Sequence, residues 1–471
     1  MPAVVPARPV GRPAWPSTIR HGRSATVRLA WGRAGGDNIH FCEVTITMTE
    51  TASITTPGTS STATSGPGSG EVTDTEFPVE RGCPFSTPAE YEQIREHSPL
   101  TKVRLTTGRE AWWIAGHELA RAVLADRRFS SDRRRDNFPF VSTDPETRKQ
   151  LQDQPTSMLG MDGAEHAQTR RALMGEFTVR RMAGLRPRIQ QIVDQHIDEM
   201  LSSEQRSADL VEALSLPVPS LVICELLGVP YADHDFFQAR SGPLVRHHTP
   251  SKVRVRIQEE LNTYLGGLID RKVADPTDDL LSRQIAKQHA AGTFDRTSLV
   301  SMAFLLLIAG HETTANMISL GVVGLLQHPD QLAMIKDDPE KTPPAVEELL
   351  RYFTITDTVT ARVATEDVQL GDTTITAGDG VVISGLAADH DPTVFTDPNQ
   401  IDLERGARHH VAFGFGPHQC IGQTLARLEL QIVFDTLFRR IPTLRLAAPL
   451  DDIPFKSDAI IYGAEELPVA W

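Results

Sequence analysis

Residues 413 to 422 read FGFGPHQCIG and frame Cys420 with glycines, a proline and His418. Without a Cβ, Gly414 and Gly416 let the backbone turn sharply and approach a flat partner closely. Behind the cysteine, IGQTLARLELQIVF has helical spacing, so the sulfur sits at a helix start. Free N–H groups and the helix dipole favour a thiolate there. The segment is suited to holding a charged sulfur under something planar.

Several chemistries compete for such a cysteine. A dinucleotide fingerprint needs GxGxxG between a strand and a helix, and here the third glycine comes too late. A c-type haem attachment needs CxxCH, which is absent. The four cysteines, Cys42, Cys83, Cys224 and Cys420, contain no CxxC pair, so neither a structural zinc site nor a disulfide framework is indicated. A Cys/His hydrolase stays open because His418 is near, although Pro and Gly neighbours supply no evident oxyanion site. A haem iron with an axial thiolate fits best.

A second constellation is AGHETT at 309 to 314, inside a long apolar stretch. Glycine and paired threonines oppose helix formation there, and such violations gather at functional sites. The hydroxyl of Thr313 can bond the carbonyl of Ala309 and loosen the helix. HExxH zinc ligation is excluded because Ala315 stands where the second histidine is needed. Glu312 can relay protons and Thr313 can orient a water. EELLR adds Glu348 and Arg351 three apart, by itself a surface pair worth a few tenths of a kcal/mol.

The pattern FxxGxxxCxG, at Phe413, Gly416, Cys420 and Gly422, resembles the haem signature of the cytochromes P-450, and the resemblance extends over 83 to 471. It implies a single mainly α domain with small β-sheets, a triangular prism around haem b. Cys420 is then the iron ligand, and Phe413, Gly414 and Gly422 shape its loop. Glu312 and Thr313 deliver protons during O2 activation. EHAQTRR supplies His166 and Arg170, TARVA supplies Arg362, and these with His418 pair with the haem propionates. Glu348, Arg351 and Arg405 brace the proximal side. The implied reaction is monooxygenation, with electrons from NAD(P)H through a ferredoxin and ferredoxin reductase. The segment AADHDP departs from the family, placing Asp389 and His390 where Asn-Arg is frequent.

These residues need elements to hold them. Residues 295 to 328 lack an internal proline and predict one helix of roughly 50 Å. TPPAVEELLRY opens another with proline in its first turn. Residues 360 to 384 read as strands broken by LGD and AGD turns. Pocket walls are expected from 129 to 158, from HDFFQARSGPLVRHH at 234 to 248, and from Leu305, Ala309, Thr358, Val359, Ile460 and Ile461. They are mostly apolar and suit a medium or large hydrophobic molecule, a secondary metabolite or xenobiotic.

The net charge of −14 argues against nucleic-acid and anionic-membrane partners. No stretch approaches a membrane span, so a monomeric cytoplasmic enzyme is expected. Residues 1–77 read as a disordered extension before a domain at 78–471, because 55 to 71 is rich in Ser, Thr, Gly and Pro. Six Arg against two acidic residues in the first 47 suggest a dispensable leader upstream of a start at Met48. A cluster of Arg408, His409, His410 and Arg427 near Cys420 suggests a ferredoxin dock. A peroxide-driven peroxygenase and a non-catalytic haem sensor are the alternatives. Retention of Glu312 and Thr313 favours oxygen use over peroxide, and no sensor output motif is legible.

Overall fold

The computed structural model describes residues 25–31, 40–46, 72–141, 144–153, 157–357 and 359–471. The chain divides into a unit ending at Gly66 and a body from Pro67 to Trp471. In the first unit, Ala25–Trp31 and His40–Ile46 pair antiparallel, with Val27 opposite Val44. Strand pairing thus replaces the disorder expected there, consistent with the Thr, Val and Ile these segments contain. The Ser/Thr/Gly/Pro run from 55 to 71 lies outside the described residues.

The expected boundary at 77 is also corrected. Val72–Phe77 forms β1, the edge strand of a six-stranded sheet. Its partners are β2 (Leu100–Leu105), β3 (Glu110–Ile114), β4 (Phe129–Ser130), β5 (Ala361–Ala364) and β6 (Gly380–Ile383). Their spatial order is β1-β2-β3-β6-β5-β4. Phe77 is buried with Tyr91 and Trp113. β6 runs parallel to β3, with Val381 opposite Trp112, and antiparallel to β5, with Val381 opposite Arg362. The segment 360 to 384 therefore forms strands as expected, with a small hairpin of Val368–Leu370 and Thr373–Ile375 between them.

Helices make up most of the body. Those that position the site are α1 (His117–Ala125), α2 (Gly163–Met174), α3 (Val179–Leu201), α4 (Pro217–Leu227), α5 (His234–Leu244), α6 (Ser251–Ala274), α7 (Arg296–Gln327), α8 (Thr342–Phe353) and α9 (Gln423–Arg440). α7 starts where the Asp295 carboxylate accepts from the N–H groups of Thr297 (2.9 Å) and Ser298 (3.1 Å), satisfying two orphan donors. By length and composition α7 would suit a membrane span. Here it is the central core helix, packed by α4, α6, α8 and α9. A Cβ at Gly321 would collide with the ring of Phe434 on α9, so glycine sets how closely these two helices approach.

Candidate active site

The loop before α9 holds Cys420 at the floor of a large cavity roofed by α7. The loop is closed by Cys420 N–H donating to Phe413 O at 2.8 Å and Gly414 N–H to Val411 O at 2.7 Å. Gly416 has φ +70°, and a Cβ there would lie 2.6 Å from the carbonyl oxygen of Leu124 at the end of α1. Only glycine tolerates both the left-handed backbone and that approach. Phe413, Gly414, Cys420 and Gly422 all line the cavity. Burial pushes the Cys420 thiol up, while the N–H groups of Gly422 and Gln423 and the charges of Arg170 and Arg427 pull it back. Iron would complete the shift to thiolate.

One end of the cavity gathers His166, Arg170, Arg362 and His418. The rings of His166 and His418 stack at 4.0 Å. His166 Nε2 is buried without a hydrogen-bond partner. Arg362 donates to its neighbour's carbonyl, Ala361 O, at 2.8 Å, and Arg170 to Gln419 O at 2.5 Å. Burial, then Arg362, His166 and Arg170, hold His418 down at about 3. Burial lowers Arg362 to about 10, against the pull of Asp162. So many buried donors facing so little negative charge fit a ligand that brings carboxylates. A haem with its two propionates meets that demand, and Cys420 stands ready for its iron.

On α7, Thr313 lines the cavity and its hydroxyl donates to Ala309 O at 2.7 Å. Glu312 points the other way. It is buried, with Oε1 accepting from Ser241 Oγ of α5 at 2.8 Å and Oε2 lying 3.7 Å from Lys456 Nζ. Lys456 donates to Asn316 Oδ1 at 2.9 Å. His311 Nδ1 lies 2.8 Å from the same serine hydroxyl. Lys456 carried no sequence signal, and the stretch 234 to 248, expected in the pocket wall, contributes nothing to the lining and instead brings Ser241 to Glu312 from α5.

The pair Glu348 and Arg351 is not on the surface: both side chains are 0% exposed. Arg351 Nε and Nη2 donate to the Glu348 carboxylate at 2.8 Å each, and Nη1 donates to Asp389 O (2.8 Å) and Pro398 O (2.9 Å). Arg405 Nε donates to Glu348 Oε1 at 3.1 Å. The departure at 389 has a function in packing: Asp389 Oδ1 accepts from Val411 N (2.8 Å), at the base of the cysteine loop, and Oδ2 from Thr354 Oγ1 (2.8 Å).

The supposed basic dock is smaller than the sequence suggested. Arg427 grips Glu347 with Nε (2.6 Å) and Nη2 (2.9 Å) and covers the ring of Phe413 at 4.5 Å. His410 is buried against the same carboxylate at 3.2 Å. Arg408 and His409 are exposed. Burial would raise the Glu347 carboxyl, but hydrogen bonds from His410 and Arg427 hold it at about 2.

Leu305, Ala309 and Val359 line the cavity. Thr358 lies outside the described residues. Ile460 and Ile461 are absent from the lining, which corrects the expectation for both. Ile460 N–H donates to Val245 O at 2.9 Å and Ile461 packs into the main core, because the terminal hairpin folds onto the segment after α5. From the 129 to 158 stretch the lining takes Arg133, Phe138 and Met158, and Ile355 joins them from the segment after α8.

A sequence model of the family Cytochrome P-450 matches residues 247–441. Pentalenic acid synthase of Streptomyces avermitilis is 49% identical over 405 residues, 86% of this chain and 99% of that protein. Vitamin D3 dihydroxylase of Streptomyces griseolus is 47% identical, over 84% of this chain and 96% of that one. The crystal structure of cytochrome P-450 MoxA from Nonomuraea recticatena superposes with a TM-score of 0.80 at 65% identity, covering 84% of this chain and 98% of the other. The cysteine under α7, the carboxylate-seeking basic cluster and these likenesses agree: the chain belongs to the cytochrome P-450 family and is a haem-dependent monooxygenase resembling actinomycete members.

Proposed function

We propose that this monooxygenase hydroxylates or epoxidises a medium to large hydrophobic small molecule, a secondary metabolite or a xenobiotic, in the cytoplasm. Its electrons come from NAD(P)H through a ferredoxin reductase and a ferredoxin. The observation that carries the substrate reading is the apolar wall above Cys420: Phe138, Met158, Leu305, Ile355 and Val359 with few polar groups. Such a lining binds by area removed from water. The names of relatives give the same range of size, with vitamin D3 for one and mycinamicin VIII for a Micromonospora griseorubida hydroxylase. The cytoplasmic assignment is supported by Cys83 and Cys224, both free thiols.

When bound, haem supplies the activation of dioxygen. The chain supplies the rest. Cys420 would provide the sulfur ligand at the α9 start. His166, Arg170, Arg362 and His418 would hold the propionates. Thr313 commits its proton to Ala309 O, so its lone pairs accept from a water in the cavity and orient it. Glu312 is held outside by Ser241 and Lys456, and it passes a proton toward Thr313 by turning inward.

The deciding test is the reduced, carbon monoxide-bound spectrum, where a strongly red-shifted band reports thiolate ligation, followed by product analysis with a ferredoxin system. Absence of that band overturns the reading. Arg408 is exposed and pairs with no carboxylate among the described residues, so it is our candidate for ferredoxin docking. Arg408→Glu should slow ferredoxin-driven reduction at low salt and leave substrate-induced spectral shifts intact. Unchanged reduction kinetics would place the dock elsewhere.

A further inference from the structure

Three arginines follow one another at 133 to 135, and two of them are accounted for. Arg134 Nε and Nη2 donate to the Asp132 carboxylate at 2.8 and 2.9 Å. Arg135 Nε donates to Ser130 Oγ at 2.9 Å. Arg133 is half-buried and lines the cavity, yet its side chain makes no hydrogen bond or ion pair among the described residues. Its electrostatic neighbour is another cation, Arg362.

We propose that Arg133 anchors a carboxylate on the substrate, so that the enzyme takes amphipathic acids with a large hydrocarbon body. This deepens, and rests on, the substrate reading given above. A guanidinium withdrawn from water without a partner is unfavourable, and an approaching anion offsets that cost. The planar fork of arginine matches a carboxylate with two parallel hydrogen bonds. Position points the same way. Arg133 shares its loop with Phe138, which packs on Ala361 and Val363 of β5, and Leu159 and Val359 line the same cavity. The propionates already have donors in His166, Arg170, Arg362 and His418, on α2, β5 and the cysteine loop. Arg133 comes from a different element and is surplus to them.

The test titrates the haem-loaded full chain with dodecanoic acid and with dodecan-1-ol, following heat of binding. Arg133→Leu should weaken the acid by about ten- to a hundredfold and the alcohol by less than about threefold. Arg133→Lys should lose less, again on the acid alone. Equal losses for both probes, or an unchanged acid, would overturn the proposal. So would faster haem release from Arg133→Leu without acid selectivity, since Arg133 would then belong to a propionate. If Arg133→Leu does not fold, Arg133→Lys decides, and a loss not confined to the acid overturns the assignment. The carbon monoxide band separates the two readings. Its presence without acid preference defeats only the anchor, whereas its absence defeats the monooxygenase reading whatever Arg133 does.

Discussion

Replacing Glu347 by glutamine removes the charge that Arg427 and His410 share. The carboxyl sits at about 2 against an ordinary 4.5, and that difference corresponds to about 3 kcal/mol of folding stability at neutral pH. The side chain is 11% exposed, so solvent screens little of it. The amide keeps one acceptor, so the expected loss is about 2–3 kcal/mol. Because the folded value lies below the unfolded one, the carboxylate stabilises fully above about pH 4.5, and the effect drains away as pH falls toward 2. The gap between parent and Glu347→Gln should therefore be constant from pH 8 to 5.5 and narrow by roughly 1 kcal/mol by pH 3.5. Urea unfolding of the haem-loaded proteins, followed by circular dichroism and haem absorbance, measures it. A neutral-pH gap under about 0.5 kcal/mol, or one that stays constant into acid, would refute the reasoning. Arg427→Glu should do greater harm by setting a second carboxylate against Glu347, and its defect should appear in stability before it appears in electron transfer.

Glu348→Gln leaves the buried Arg351 and Arg405 without their counter-charge and should cost about 3–5 kcal/mol, read as a lowered unfolding midpoint; a change within about 1 kcal/mol would contradict the brace. Thr313→Ala should uncouple the enzyme, with product per NAD(P)H falling and peroxide rising, and unchanged coupling would assign proton delivery to Glu312 through water. Cys420→Ser should abolish the red-shifted carbon monoxide band, since an alcohol stays protonated near neutrality. A chain beginning at Pro78 should be less stable by several kcal/mol than one beginning at Glu71, because it loses β1 and buried Phe77; equal melting temperatures would show β1 to be dispensable.

The cysteine loop and AGHETT were legible because their chemistry forces residues that local propensity rejects, glycine and threonine inside a helix or glycine at positive φ. α7 and the strands between 360 and 384 were legible from periodicity and turn residues. Other features depend on partners far along the chain. Glu347 and Glu348 are adjacent letters, yet a rotation of roughly 100° per helical residue turns one to Arg427 and His410 and the other to Arg351 and Arg405. Nothing in EELLR says which face meets what. Arg427 looked like a free surface charge because its acceptor lies 80 residues away. β1 passes for the end of a disordered extension because VTDTEF is polar, as edge strands can be.

The sheet that walls the cavity also sets an order of events during synthesis. β3 pairs with β6 across roughly 270 residues of chain, and at about 5–20 residues per second a ribosome takes some 15–50 s to supply the second strand. β5 and the cysteine loop emerge just before and just after it. Throughout that interval β3 offers an unpaired edge on Trp112 and Trp113, a surface open to wrong partners. Cofactor capture must come at the end of translation, when Arg362 and Cys420 have joined His166 and Arg170. Yield in a production host should therefore respond more to chaperone supply and slow translation than to early haem supplementation.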